Sequence, residues 1–246
     1  MGARVTAGIG RYIWCVRLKV ELHTHTDADP IDTIPHTTEE LIERAASLGY
    51  HALAITLHDK QLNVAPFTDY ASRRNIVLIP GIERTIAGRH VLLLNFSSRA
   101  ESIDTFEQLA VLKTEERGLV IAPHPFFPLG KCVGGFLDAF PDVFDAVEVN
   151  AMYANGFNFN KRAIRWAGRR GKPLVGNCDV HLLAQLGSTY SLVEADADPD
   201  SICEAIRAGR VEVYTQPLPW AKAISLFAAI VGLWPLRRGP RRQKTS

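Results

Sequence analysis

VELHTHTDADP, residues 20–30, ends an alternating apolar run with two histidines one residue apart and sets two aspartates behind them. The run LKVEL reads as a strand, and the change from apolar to ligand-type side chains falls at its C-terminal end. Two imidazoles at positions i and i+2 of an extended chain point to the same side, so His23 and His25 can reach one ion together. DVH, residues 179–181, repeats that spacing with Asp179 in place of the first imidazole and His181 as the second. Between the two pairs, His58 follows LAIT, Glu83 follows LIPGI and His124 follows LVIAP, each again behind an apolar run.

Helix-like segments separate these runs. TTEELIERAASL has Thr37 or Thr38 as its N-cap and Gly49 just past its end, and DTFEQLAVLKTEERG, FNKRAIRWAGRRG and DSICEAIRAG follow further on. About seven of the strand-like runs are apolar enough to lie parallel in a sheet covered on both faces, and neither a repeat nor a low-complexity linker interrupts them. The economical fold is a single α/β barrel or a closed sheet of similar design. In such a barrel the C-terminal strand ends converge on one rim, which brings together residues roughly 160 positions apart.

The donor set points to chemistry. Imidazole and carboxylate without cysteine favour Zn, Mn or Fe, and more than four ligands at one rim imply more than one ion, with a carboxylate able to bridge two. Multinuclear sites bring the pKa of a bound water towards neutrality and clamp the oxygens of a phosphate ester, so hydrolysis is the natural reaction.

ELHTHT, ALAITLHD, LIPGIE, HVLLLNF, IAPHP and VGNCDVH, in this order, resemble the motifs of the PHP family, named after polymerase and histidinol phosphatase members, over roughly residues 18–195. The resemblance implies a distorted seven-stranded (βα) barrel with its metal site at the C-terminal strand ends. It also implies a multinuclear centre of two to three divalent ions (Zn, Mn or Fe), trinuclear in the family, and hydrolysis of a small phosphomonoester or phosphodiester by a metal-activated hydroxide. Carried over by position, it assigns His23, His25 and Asp179 to a first metal, Glu83 to the bridge, His90 and His124 to a second metal, and His58 and His181 to a third. The loop TDADPIDTIPH is longer than in many members and offers Asp27, Asp29, Asp32 and His36 for the remaining place; Asp29 is the first choice and Asp32 the second. Leu57 stands where many members carry an aspartate, which removes one acceptor that would orient His58. A leaving group takes its proton from a metal-bound water or from His58 or His181, whichever is not ligated.

Arg84, Lys131 and Lys161 are the candidates for holding the substrate, with Tyr153 and Asn158 from the same side; Phe126, Phe127, Phe157 and Phe159 offer a stacking wall. His36 and His51 read as structural histidines, and His90 reads equally well as the start of a strand.

Composition bounds the rest. The 246 residues are 47% hydrophobic, and 28 basic against 26 acidic residues give no global field for nucleic acid, so a small phosphorylated substrate is the expected partner. Four cysteines without CxxC spacing fit a reducing cytoplasm, and no feature sets an oligomeric state. The chain divides into a lead-in (1–17), the barrel (18–217) and an apolar helix with a basic tail (218–246). WAKAISLFAAIVGLW, residues 220–234, falls short of the roughly 20 apolar residues that span a bilayer, and reads as a helix packed on the domain. Its tryptophans and the arginines behind it make peripheral membrane contact through residues 220–242 the second reading. The N-terminal MGARVT matches a loose N-myristoylation pattern and carries little weight. Two other functions stay open: a hydrolase of carbon–nitrogen bonds using the same ions, and a non-catalytic, metal-stabilised, membrane-docked module.

Overall fold

Four-residue runs such as ALAI and LVIA are too short for helices and have no polar face, and they form strands buried on both sides. The computed structural model describes residues 17–128 and 130–230; Gly2, Cys15, Trp234 and the basic tail lie outside the described residues. In order the elements are β1 (Arg17–Glu21), α1 (Thr38–Ser47), β2 (Ala52–Ile55), α2 (Thr68–Ser72), β3 (Val77–Ile86), β4 (Arg89–Leu94), α3 (Phe106–Glu115), β5 (Leu119–Ala122), α4 (Phe136–Ala139), β6 (Ala146–Asn150), α5 (Asn160–Arg170), β7 (Leu174–Asn177), β8 (Thr189–Glu194), α6 (Pro199–Arg207), β9 (Val211–Thr215) and α7 (Trp220–Ile230).

Helix ends follow local chemistry. The Thr37 hydroxyl accepts from the Glu40 N–H at 3.2 Å while the Glu40 carboxylate accepts from the Thr37 N–H at 2.9 Å, a reciprocal cap that fixes where α1 begins. Gly171 ends α5 in the left-handed region at φ 62°, where a Cβ would be strained.

The nine strands form one sheet in the order β7-β6-β5-β4-β3-β2-β1-β8-β9, curled into a nearly closed barrel. Against the seven strands expected, two additions and one reversal stand out. β8 and β9 extend the sheet beyond β1 as antiparallel strands, and β4 runs antiparallel to both β3 and β5. The reversal is made in the sequence IAGR: Ala87 and Gly88 both take positive φ (49° and 76°), the backbone of a tight hairpin turn.

Closure brings β7 back against β1 and β8. Beyond β1 and β7 a parallel bridge joins Thr24 to Val180, with His25 N–H donating to Val180 O and Val180 N–H to His23 O, each at 3.0 Å. Lower down, the Ser191 hydroxyl on β8 accepts from the Gly176 N–H at 2.8 Å and donates to the Gly176 carbonyl at 3.2 Å. A Cβ on Gly176 would lie 2.8 Å from the Tyr190 carbonyl oxygen, so the close approach of β7 and β8 requires glycine there.

Helices cover the sheet. α3 and α5 bury Phe106, Leu109, Trp166 and Ala167 against β4, β5 and β6, and α1 buries Leu41 and Ile42 near β2 and β3. Full burial of each such large side chain contributes about 1.5–3 kcal/mol. α6 packs Ile202, Ala205 and Ile206 among Val20, Ile79 and Leu119 and stoppers the end of the barrel away from the rim, where Arg207 donates to the Gly118 carbonyl at 2.9 Å. No described helix is long and apolar enough to cross a membrane.

Candidate metal centre

The parallel strands β1, β2, β5 and β7 carry their ligand-type residues just beyond their C-terminal ends, and β3 carries Glu83 inside the strand, past its ladder with β2, all on one rim. His90 arrives there by the opposite route. It sits near the start of β4, and because that strand runs backwards its beginning lies where its neighbours end. His124 (φ 29°) and Asp179 (φ 53°) hold left-handed backbone immediately after their strands, a local strain of the kind that collects at functional sites.

Glu83 occupies the centre and is almost fully buried. Its two oxygens face different histidines. Oε1 lies 2.7 Å from His90 Nδ1 and 3.3 Å from His124 Nε2. Oε2 lies 3.3 Å from His23 Nε2, 3.4 Å from His25 Nε2 and 3.2 Å from His58 Nε2. Asp179 Oδ1 faces His23 Nε2 at 3.3 Å, His25 Nε2 at 3.5 Å and His181 Nδ1 at 3.3 Å. Four overlapping triads result, each with ligand atoms within 4.8 Å of one another: His23–His25–Asp179, His23–Glu83–His124, His58–Glu83–His90 and His25–His58–His181.

These atoms suit a cation. His23 Nε2, His25 Nε2 and Asp179 Oδ1, which face one another, are buried without a hydrogen-bond partner, a costly state that an ion at their convergence relieves, and His90 Nε2 is likewise buried and unpartnered. The electrostatics agree. Burial pushes the Glu83 and Asp179 carboxyls up, but the surrounding imidazoles, His23 foremost, more than offset it and hold both well below the usual carboxylate range. Burial lowers the histidines, yet the facing Asp179 carboxylate carries His181 up to about 10, and His23 likewise lies well above its ordinary value.

Behind the rings stands a second row of acceptors. Glu148, fully buried on β6, takes the Nδ1 side of His23 at 2.9 Å and is itself held by Asn150 and Asn177 at 2.7 and 3.2 Å. Asp29, the expected ligand of a third ion, belongs to this row: its Oδ2 lies 3.0 Å from Nδ1 of both His25 and His58 and accepts the His58 N–H at 3.0 Å. Its carboxylate is thus spent on the outward sides of two imidazoles whose Nε2 atoms face Glu83, because the turn after His25 folds it back under them. Burial raises this carboxyl, and the bonds from His25 and His58 bring it far below its ordinary value. Asp29 also supplies the acceptor that Leu57 does not. Asp32 is the loop residue that faces His181, with Oδ2 3.1 Å from Nε2. Asp27 is exposed, and the His36 Nε2–H donates to the His25 carbonyl at 2.9 Å, a structural use like that of His51, whose Nδ1 accepts from the Lys19 N–H.

Glu148 and Glu21 carried no assigned role in the sequence. The signal is present in AVEV and KVEL, where a single carboxylate stands between apolar neighbours in a strand. Burial pushes Glu21 up to about 8, and it accepts from the Cys178 and His23 N–H groups at 3.0 and 3.3 Å, tying the end of β1 to the end of β7.

The substrate candidates fare differently. Arg84 points out of the rim, since its neighbour Glu83 points in, and is consumed by Asp59, Asp104 and the Ile103 carbonyl at 2.9, 2.6 and 2.9 Å. Lys131 and Lys161 are exposed and line no part of the cavity of about 430 Å³ that opens beside the cluster. That cavity reaches His124, Asp179 and His181 and is walled by Phe127, Met152, Phe157 and Phe159 together with Trp220 and Ile224 of α7. Phe126 packs into the core instead, with the Arg162 guanidinium 4.2 Å above its ring. Of the segment 220–242, the described part packs on the domain through the buried Leu226 and lends a wall to this cavity.

A model of the PHP domain matches residues 21–122, and a PHP-associated model matches residues 157–211. The chain belongs to the PHP family. The rim residues from His23 to the end of β5 thus lie inside the PHP match, and membership places the chain with the family's metal-dependent hydrolases. Solved structures share this fold. PsfC from Pseudomonas syringae PB-5123 is 19% identical with a TM-score of 0.64, over 89% of this chain and 98% of that one. A candidate metal-dependent phosphoesterase from Bifidobacterium adolescentis is 16% identical with a TM-score of 0.56, over 82% and 98%. The lesion-specific endonuclease PfuEndoQ from Pyrococcus furiosus is 16% identical with a TM-score of 0.53, over 86% and 66%. Comparison with curated proteins gave no match.

Proposed function

We propose that this PHP protein is a phosphoesterase that hydrolyses a small phosphate ester at a centre of two to three divalent ions, the activity residing in residues 18–217. The observation that carries the reading is the division of five histidines between the two oxygens of Glu83, the arrangement of a carboxylate that bridges two cations. Divalent ions bound there would supply a nucleophilic water at neutral pH and charge neutralisation at the phosphoryl oxygens.

The protein's own residues do the rest. His23, His25 and Asp179 would hold one ion, and Glu83, whose Oε1 faces His90 and His124, would hold a second with them. Glu148 and Asp29 hold the Nδ1 protons of His23, and of His25 and His58, which leaves each Nε2 lone pair facing inward. His58, His181 and Asp32 make a third corner, on the cavity side. The stoichiometry decides its role: three ions per chain make His58 and His181 ligands, whereas two leave His181 Nε2 to protonate the leaving oxygen. Water enters, the ester P–O bond breaks, and an alcohol and inorganic phosphate leave.

Metal analysis followed by a panel of phosphate esters, amides and cyclic imines on Mn-, Fe- and Zn-loaded protein tests class and cofactor together. Phosphate release that disappears in His25→Ala and Asp179→Ala, together with bound metal, supports the reading. Turnover of the carbon–nitrogen substrates alone, or tightly bound metal with no activity, replaces it with one of the two other functions.

A further inference from the structure

We propose that the cavity beside the metal centre takes an uncharged, hydrophobic organic group; on the phosphoesterase reading above, on which this rests, that group is the alcohol esterified to the phosphate. The cavity is about 430 Å³, a volume suited to a small organic molecule, and three of its lining residues, His124, Asp179 and His181, belong to the cluster. A phosphate held at the ions therefore directs its ester group into this space.

Three observations determine what fits. Among the described residues that line the cavity there is no lysine or arginine, so a second phosphate or a carboxylate on the substrate would leave water without an ion pair. The polar side chains in the lining are already engaged. Gln185 accepts from the His181 and Leu182 N–H groups at 2.8 and 2.7 Å and donates to the Cys178 and Asp179 carbonyls at 3.2 and 2.8 Å. Asn150 donates to Glu148 at 2.7 Å and accepts from the Met152 N–H at 2.8 Å, and the Tyr153 hydroxyl is 2.9 Å from the Thr215 hydroxyl. Little is left to recognise the hydroxyls of a sugar. Finally, of the seven large hydrophobic side chains exposed among the described residues, Phe157, Trp220 and Ile224 border this one cavity, at 54%, 54% and 64% exposure. Apolar surface gathered in a concave site next to a reactive centre is covered when an apolar group binds.

The test uses the metal-loaded full chain. 1-Naphthyl and hexyl phosphate are compared with glycerol 3-phosphate, glucose 6-phosphate and adenosine 5′-phosphate as substrates, and benzylphosphonate with methylphosphonate as non-hydrolysable ligands by calorimetry. The expected result is at least a tenfold advantage in kcat/KM for the apolar esters and in Kd for benzylphosphonate, reduced several-fold in Ile224→Ala and Phe157→Ala. Val111→Ala, on the exposed face of α3, is the control that keeps the ratio. Equal or better turnover of the polar esters, with adenosine 5′-phosphate pointing to a nucleobase on the aromatic wall, overturns the cavity's assignment and leaves the phosphoesterase reading intact. The reverse failure is distinct: no ester hydrolysed, but benzylphosphonate still preferred and that preference lost in Ile224→Ala, removes the phosphoesterase reading while the cavity keeps its ligand class.

Discussion

On one side of Asp179 stand His23, His25, His124 and Glu83, buried and polar; on the other, around the cavity, stand Phe157, Trp220 and Ile224, exposed and apolar. The first region places polar atoms where water cannot reach them, and the second places hydrocarbon where water can. Both arrangements are unfavourable for the chain alone, and each is relieved by a different ligand: a cation for the first, an apolar group for the second. Metal affinity and substrate preference should therefore respond to different substitutions.

The largest effect belongs to Glu83→Gln, which keeps the shape and removes the charge that faces five histidines. Bound metal measured by atomic emission should fall by at least one ion per chain and phosphate release should be lost; a variant that keeps its full metal complement and its turnover would end the bridging role. Glu148→Gln and Asp29→Asn should weaken metal binding about 10–100-fold, since they loosen the orientation of His23 and of His25 and His58 without removing a ligand. A chelator competition measures this, and an Asp29→Asn protein with unaltered affinity would return that residue to an incidental place in its loop. Ile224→Ala should leave the metal content at the parent level while KM for naphthyl phosphate rises by roughly tenfold, the scale for trimming an apolar contact; loss of metal in this variant would erase the separation between the two regions. Smallest is Arg84→Ala: kcat/KM should stay within about threefold, while losing the pairing with Asp59 and Asp104 lowers Tm by about 2–4 °C in a differential scan. A large rise in KM there would restore Arg84 to the substrate.

The two regions also differ in how far the sequence discloses them. His23, His25, Glu83, His124, Asp179 and His181 each follow an apolar run, and a period of two or a strand end is a local pattern that survives folding unchanged. His90 is harder to place because it opens its strand, and only the reversal at Ala87–Gly88 carries it to the rim. Asp29 and Asp32 lie three residues apart in one polar loop, and nothing in their spacing says which turns under His25 and His58 and which turns towards His181. The cavity walls are the least legible. Met152, Phe157 and Trp220 come from a loop and a distant helix, and their shared orientation depends on contacts such as the Leu218 N–H to the Tyr153 carbonyl at 2.8 Å.

The bridge between Thr24 and Val180 sets the moment at which the His23–His25–Asp179 triad can first exist. At roughly 5–20 residues per second of synthesis, a nascent chain carries His23 and His25 for roughly 8–30 s before Asp179 follows. Throughout that interval the pair has neither Asp179 nor the bridge that aligns it. An ion held by this triad would be captured only once the seventh strand is in place, and its binding free energy would become free energy of folding. A chain interrupted before residue 179 would lack this triad and the bridge together, while the residues of the His23–Glu83–His124 and His58–Glu83–His90 groups would already be present.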